Sequence, residues 1–412
     1  VRAAILEHIT NDDPDGARLL LDGVDATLSP QARAEWRYRV AWSYYIENQD
    51  AQAWALADTV RDNGSGPWVA EGDWAAGLAA WRLGDCDKAA EAFQRSAAAS
   101  TNPNLTAAAH YWASRALIRC RFPEKSDEQL RGAARFPETL YGMLAHEQLG
   151  RELPETHAQP DLTEADWRRL RDEDAVQQAV MLAEIGRRDE AADDLVWLVR
   201  TGDPDDYPAL SRLARALGLT GAQTFMAYNA PRGEGAHPSL RYPVTFRTPV
   251  GGWRVDPALA FAHALQESNF RERVVSPAGA IGLMQIMPIT QREYAASINM
   301  SSNADLKDPA VNLAFGQRTL ESLSTAGYTQ GRLPKIMAAY NAGPSPVARW
   351  ESEIRDAGDP LLYMESIPYW ETRGYVAVVM RNYWMYLRQA DAPAPSRIDL
   401  AENDWPQFPK VR

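Results

Sequence analysis

A turn that returns about every 34 residues constrains this chain more than any other feature. "GLAAWRLGDCDKAAEAFQRS" begins at Gly77 and "AVMLAEIGRRDEAADDLVWLV" at Ala179. Gly84 and Gly186 hold the same place in these segments, 102 residues or three such periods apart. "YYIENQDAQAWALA" sets Asn48 at that place 36 residues before Gly84, and Cys120 follows Cys86 by 34 at the matching turn of the next pair. The runs between turns are rich in Ala, Leu and Trp with helical periodicity. A helix pair of this length cannot bury its apolar face alone. It stacks on the next pair, with alanines permitting close approach and Trp and Leu filling the gaps. The spacing therefore predicts an N-terminal α-superhelical scaffold; the plainer alternative is an irregular all-helical domain with chance spacing.

The periodicity is similar to that of tetratricopeptide repeats. It breaks at Ala230–Trp253, "APRGEGAHPSLRYPVTFRTPVGGW", where Gly and Pro exclude a long helix. We therefore divide the chain into a superhelix with its linker at 1–240, a second domain at 241–390 and a Pro-rich tail at 391–412 without obvious chemistry. Asp256-Pro257 reads as a helix start, with Asp as the N-cap, and the helix runs to about Asn269. The net charge of −12 is uneven: 25 basic against 38 acidic residues precede position 241, and 18 against 17 follow. Neither half carries the basic excess that nucleic-acid binding needs. No apolar run reaches the roughly 18 residues of a membrane span. The chain begins at Val1 without a basic-then-apolar leader, which decides nothing about targeting. Two cysteines and six scattered histidines form no metal-binding pattern, and no cofactor is expected. Cys86 and Cys120 are either buried thiols or a disulfide, the latter requiring an oxidising compartment.

The stretch that carries chemistry is "ALQESNFRERVVSPAGAIGLMQIMPIT", Ala264–Thr290. Glu267 lies in the last turn of its helix and shares a face with the small residues Ala260 and Ala264. No charged side chain occurs from Val274 to Gln291. Folded back over Glu267, that segment would strip water from the carboxyl group and raise its pKa, as a general acid requires. Ser276-Pro277 opens a turn, Gly279 and Gly282 permit tight bends, and "GLMQIMP" suits a small β-hairpin element beside a cleft. Gln285 offers an amide to sugar hydroxyl or acetamido groups, and Met287 an adaptable apolar wall. The bland readings are a surface Glu267 paired with Arg271, a turn-forming Ser276, and packing roles for Gln285 and Met287.

"ESNFRERVVSPAGAIGLMQIMP" resembles the soluble lytic transglycosylases, whose catalytic domain is a mainly α, goose-type-lysozyme-like fold. Three further segments agree in order: "VNLAFGQRTL" from Val311, "AAYNAGPSPVARW" from Ala338 and "IPYWETRGYVAVVMRNY" from Ile367. The resemblance covers roughly residues 240–390, and the upstream superhelix agrees in architecture. It implies that Glu267 is the acid and base. Ser276 and Gln285 become hydrogen-bond partners of the substrate, and Met287 lines the sugar site. Tyr340 stands near the glutamate and the sugar, accompanied by Asn341, and Glu371 helps to shape the groove. Trp350 and Trp370 are further candidates for stacking on sugar faces. The implied substrate is the peptidoglycan glycan strand in the periplasm of a Gram-negative bacterium. The implied reaction cleaves between N-acetylmuramic acid and N-acetylglucosamine and closes a 1,6-anhydro ring, without metal or cofactor. Two rivals stand beside this expectation: a lysozyme-like hydrolase on the same fold, and a non-catalytic scaffold that binds the cell wall or a protein partner through its helical array.

Overall fold

A computed structural model describes residues 1–154, 161–232, 235–244 and 247–409. Among these the chain is almost entirely helical and forms two compact units. The first comprises Val1–Pro154, Arg349–Gly374 and Pro395–Pro406, the second Glu155–Ala348, Tyr375–Ala394 and Gln407–Arg412. These units cut across the division by sequence character. The Gly- and Pro-rich stretch near residue 240 interrupts helicity without interrupting packing.

In the first unit, helices Trp68–Leu83, Cys86–Ala99, Pro103–Arg119 and Pro123–Ala133 stack in sequence. The recurring turn has a physical basis: Gly84 ends its helix at φ 80° and Asn48 sits at φ 58°. This left-handed region favours Gly and tolerates Asn. Asp85 then caps the next helix by accepting from the Lys88 N–H at 3.1 Å. Trp112 is fully buried, with the rings of Trp74, Trp81 and Phe93 between 5.2 and 6.4 Å away. Gly77 faces Phe93 so closely that a Cβ there would lie 2.5 Å from the ring. Cys86 and Cys120 are joined as a disulfide. The later segments complete this unit: the Tyr45 hydroxyl meets Ser366 Oγ at 2.8 Å, Arg115 pairs with Asp359 at 2.6 Å, and Tyr141 donates to Glu365. The Pro-rich tail is packed as well. Helix Pro395–Ala401 pairs Arg397 with Glu147 at 2.7 Å, and the Ala401 carbonyl accepts from Gln148 at 2.6 Å.

The second unit contains helices Glu164–Leu170, Asp174–Glu184, Arg188–Thr201, Tyr207–Ala216 and Thr220–Tyr228 around a core that includes Leu170, Val176, Leu195, Leu213 and Met226. Gly186 takes the left-handed conformation at φ 84°, matching Gly84. These helices are tied to the segment after Glu267. Asp189 accepts from the Glu272 and Arg273 backbone N–H groups at 3.4 and 3.2 Å, and Thr220 donates to the Phe270 carbonyl at 3.4 Å.

The expected β-hairpin does not form. Among the described residues the "SPAGAIGLMQIMP" segment makes only isolated bridges, Val275 with Ile281 and Ile281 with Ile286. Its apolar alternation suits a strand, but Gly279, Gly282 and Gln285 adopt φ of 87°, 77° and 47°. A left-handed residue every three positions turns the chain before a ladder can extend. No described helix is long and apolar enough to cross a membrane.

Candidate active site

Helix Pro257–Ser268 begins as its sequence dictates: the Asp256 carboxylate accepts from the Ala258 N–H at 2.9 Å, and Pro257 opens the first turn. It ends at Asn269, left-handed at φ 51°. Leu259, Ala260, His263 and Ala264 are buried, and Glu267 is half-buried in the last turn.

The neutral segment after Glu267 folds back on this helix end. Ser268 Oγ donates to the Leu283 carbonyl at 2.8 Å. Asn312, wholly buried on helix Pro309–Ser324, clasps the segment with two bonds and holds Leu306 with a third. Its Nδ2 donates to the Ile281 and Leu306 carbonyls, both at 2.8 Å, and its Oδ1 accepts from the Met284 N–H at 2.8 Å. Two glycines make the approach possible. A Cβ on Gly282 would meet Asn312 Nδ2 and the Leu306 carbonyl at 2.4 Å, and one on Gly316 would meet Met284 Sδ at 2.1 Å.

Three side chains gather on Glu267. Tyr375 donates its hydroxyl to Glu267 Oε1 at 2.7 Å, and His263 Nδ1 lies 2.8 Å from the same hydroxyl. The Tyr340 ring packs on His263 at 4.6 Å, and its hydroxyl donates to the Met284 carbonyl at 2.8 Å. Burial, joined by the charge of Glu267, pushes both phenols well above their usual range, so they are neutral donors. Burial pushes His263 down to about 3, so its imidazole is neutral at ordinary pH. The charge of Glu267 raises both phenols.

The other sequence candidates fall into place unevenly. Ser276 Oγ accepts from the Ala280 N–H at 3.0 Å and so shapes its own turn. Gln285 Nε2 donates to the Gly282 carbonyl at 2.8 Å, bracing the same loop. Met287 is exposed at the N-cap of helix Pro288–Tyr294. Asn341 is half-buried beside Tyr340 in sequence. Glu371 is exposed in the first turn of helix Trp370–Gln389 and belongs to the first compact unit. Trp350 is wholly buried against Tyr369, which removes it as a sugar-stacking surface, whereas Trp370 is 77% exposed. Arg271 Nε donates to the Ser268 carbonyl. Sequence reading missed His263 and Tyr375. His263 stands one turn before Glu267, a spacing that puts both on one helix face. Tyr375 stands one turn after Glu371, inside a motif whose glutamate drew the attention.

Comparison with known proteins finds a family match and likenesses of sequence and fold. The family described as the transglycosylase SLT domain matches residues 246–361. The soluble lytic murein transglycosylase of Escherichia coli K12 is 36% identical over 168 residues, covering 40% of this chain and 25% of that protein. Its counterpart in Salmonella typhimurium is 37% identical over 149 residues, covering 34% of this chain and 22% of that protein. The chain thus matches about a quarter of the length of these curated relatives. In fold the likeness extends beyond the SLT domain. The 70 kDa soluble lytic transglycosylase of Escherichia coli superposes with a TM-score of 0.74 at 22% identity, over 98% of this chain and 65% of that one. An inactive variant of the lytic transglycosylase Slt of Pseudomonas aeruginosa gives 0.71 at 23%, over 96% and 63%. Tyr375, which touches Glu267, lies past the end of the SLT match.

Proposed function

We propose that the protein is a peptidoglycan lytic transglycosylase that uses Glu267 alone as acid and base. The observation that carries this reading is one half-buried carboxylate held by a buried phenol at a helix end, beneath a segment without charged side chains. Glycosidases that deliver water use two carboxyl groups, about 5–5.5 Å apart when retaining and wider when inverting. A single carboxyl group suits a reaction in which the nucleophile belongs to the substrate.

In the proposed reaction, Glu267 gives its proton to the oxygen linking N-acetylmuramic acid to N-acetylglucosamine, and the bond from that oxygen to C1 breaks. The muramic acetamido group assists at C1. Glu267, now ionised, takes the proton of the C6 hydroxyl of the same sugar as that oxygen attacks C1. The 1,6-anhydro ring closes, Glu267 is again protonated, and no water is consumed. The attack is intramolecular and gains from high effective molarity. Tyr375 orients the carboxyl group throughout. Ser276, Gln285, Met287, Tyr340, Asn341 and Glu371 are proposed to contact the glycan. The Cys86–Cys120 disulfide fits an oxidising compartment, which supports a periplasmic location.

The test is digestion of purified peptidoglycan followed by mass spectrometry of the released fragments. Anhydro ends are expected, and Glu267→Gln should lower turnover by about 10²–10⁴. Reducing ends in their place would make the protein a hydrolase, and undiminished cleavage by E267Q would remove the mechanism.

A further inference from the structure

The hydrogen bonds around Glu267 carry direction as well as distance. Tyr375 has one hydroxyl proton and two close partners, Glu267 Oε1 at 2.7 Å and His263 Nδ1 at 2.8 Å. An ionised carboxylate has no proton to give, so the phenol proton must lie on the Glu267 side. The phenol oxygen then needs a donor from His263, which places the imidazole proton on Nδ1. The other ring nitrogen agrees: His263 Nε2 is buried with no partner among the described residues. A proton there would be a buried donor without an acceptor, a rarer and costlier defect than an idle lone pair. His263 itself is 0% exposed.

We propose that His263 is a positioning residue: by donating Nδ1–H to the Tyr375 oxygen, it locks the phenol proton onto Glu267 Oε1 and so places the transferable proton of the glutamic acid on Oε2. Without this donor the phenol rotor is free to turn away, and Oε1 becomes an equally good seat for the acid proton. Half of the protonated enzyme would then hold its proton on the wrong oxygen, and the returning base would share the fault. His263 touches no substrate in this scheme and acts only through Tyr375. Burial keeps its imidazole neutral across the working range, so it stays a one-proton donor and never a competing acid. The inference rests on Glu267 being the acid and base.

The experiment measures kcat and KM on purified peptidoglycan for His263→Leu, His263→Asn, Tyr375→Phe and the double variant H263L/Y375F, with Glu267→Gln as reference. Asn can place an amide N–H where Nδ1–H stands, and Leu cannot donate. H263L is expected to lower kcat about 2- to 4-fold with KM unchanged, a factor of about two each for acid and base, H263N to recover the parental kcat, and H263L to add nothing in the Y375F background. His263→Gln, whose amide reaches the Nε2 position, replaces H263L if circular dichroism shows H263L unfolded, with the same expected loss. Parental kcat in H263L, no gain of H263N over H263L, or an equal loss in the Y375F background would overturn the proposal, the last because a packing effect needs no Tyr375 hydroxyl. The reference variant separates the two levels. An inactive E267Q beside an unaffected His263 series refutes this inference alone, whereas an active E267Q refutes the reading beneath it.

Discussion

Replacing Asn312 with Leu should loosen the loop over Glu267 while leaving the first compact unit untouched. Leu keeps the branching of Asn but is larger, so some crowding at the close Gly282 approach accompanies the loss of hydrogen bonds. Asn312 is 0% exposed and serves three backbone groups, the carbonyls of Ile281 and Leu306 and the N–H of Met284. The Met284 N–H is left as a buried orphan, which costs about 1–3 kcal/mol, and each carbonyl loses a bond of about 1 kcal/mol. The sum is about 3–5 kcal/mol, of which about 2–4 kcal/mol falls on the loop and the rest on Leu306. Since each 1.4 kcal/mol is a factor of ten in an equilibrium, opening of the loop should become about 30- to 10³-fold more frequent. Hydrogen exchange read by mass spectrometry on peptides across residues 274–291 measures this directly, with peptides from Trp68–Leu83 and Pro103–Arg119 as internal references. Turnover should fall with it, because Tyr340 is anchored to the Met284 carbonyl. Unchanged protection of the loop in N312L would mean that these bonds do not hold it, and the account of how the neutral segment is kept over Glu267 would fail.

Two further outcomes follow from groups already described. The unfolded, unreduced protein should titrate no free thiol, and C86S/C120S should lose about 3–4 kcal/mol of stability in the first unit, as expected for closing a loop of 34 residues; full thiol reactivity without reductant would contradict the bond. His263 has a folded pKa of about 3 against an ordinary 6.5. Its folded state binds fewer protons than the unfolded chain between those values, so its contribution is intact above pH 6.5 and is lost at up to about 1.4 kcal/mol per pH unit as pH falls toward 3. The stability difference between the parent and H263L, measured from pH 7 to 4, should carry that slope; a difference independent of pH would mean that His263 is not buried as a neutral ring.

What the sequence reveals and conceals has a common cause. Asn48, Gly84 and Gly186 were legible because a helical hairpin needs a left-handed residue at its turn, a demand met locally. The Asp256–Pro257 helix start and the neutral run after Glu267 were legible for the same reason. The partners of Glu267 were not. Tyr375 is 108 positions away and makes its contact only through folding, with no periodicity to betray it. His263 was nearer, but a lone histidine on an apolar helix face reads as core until the phenol beneath it is known. The β-hairpin expectation failed because apolar alternation in "GLMQIMP" says nothing of the φ that Gln285 adopts. Asn312 appeared in a recognised motif, yet its three bonds depend on the path of a loop that the motif does not spell out.

The discontinuity of the first compact unit bears on how a ribosome can deliver it. Arg115, Tyr141 and Glu147 are synthesised 244, 224 and 250 residues before their partners Asp359, Glu365 and Arg397. At 5–20 residues per second that is a wait of roughly 10–50 s. Throughout it, the early helices can stack on one another but cannot finish. A nascent chain of this design therefore spends that interval as an incomplete array with these polar side chains unmatched. Removing residues 349–412 would take Asp359, Glu365 and Arg397 away together and leave Val1–Pro154 without them.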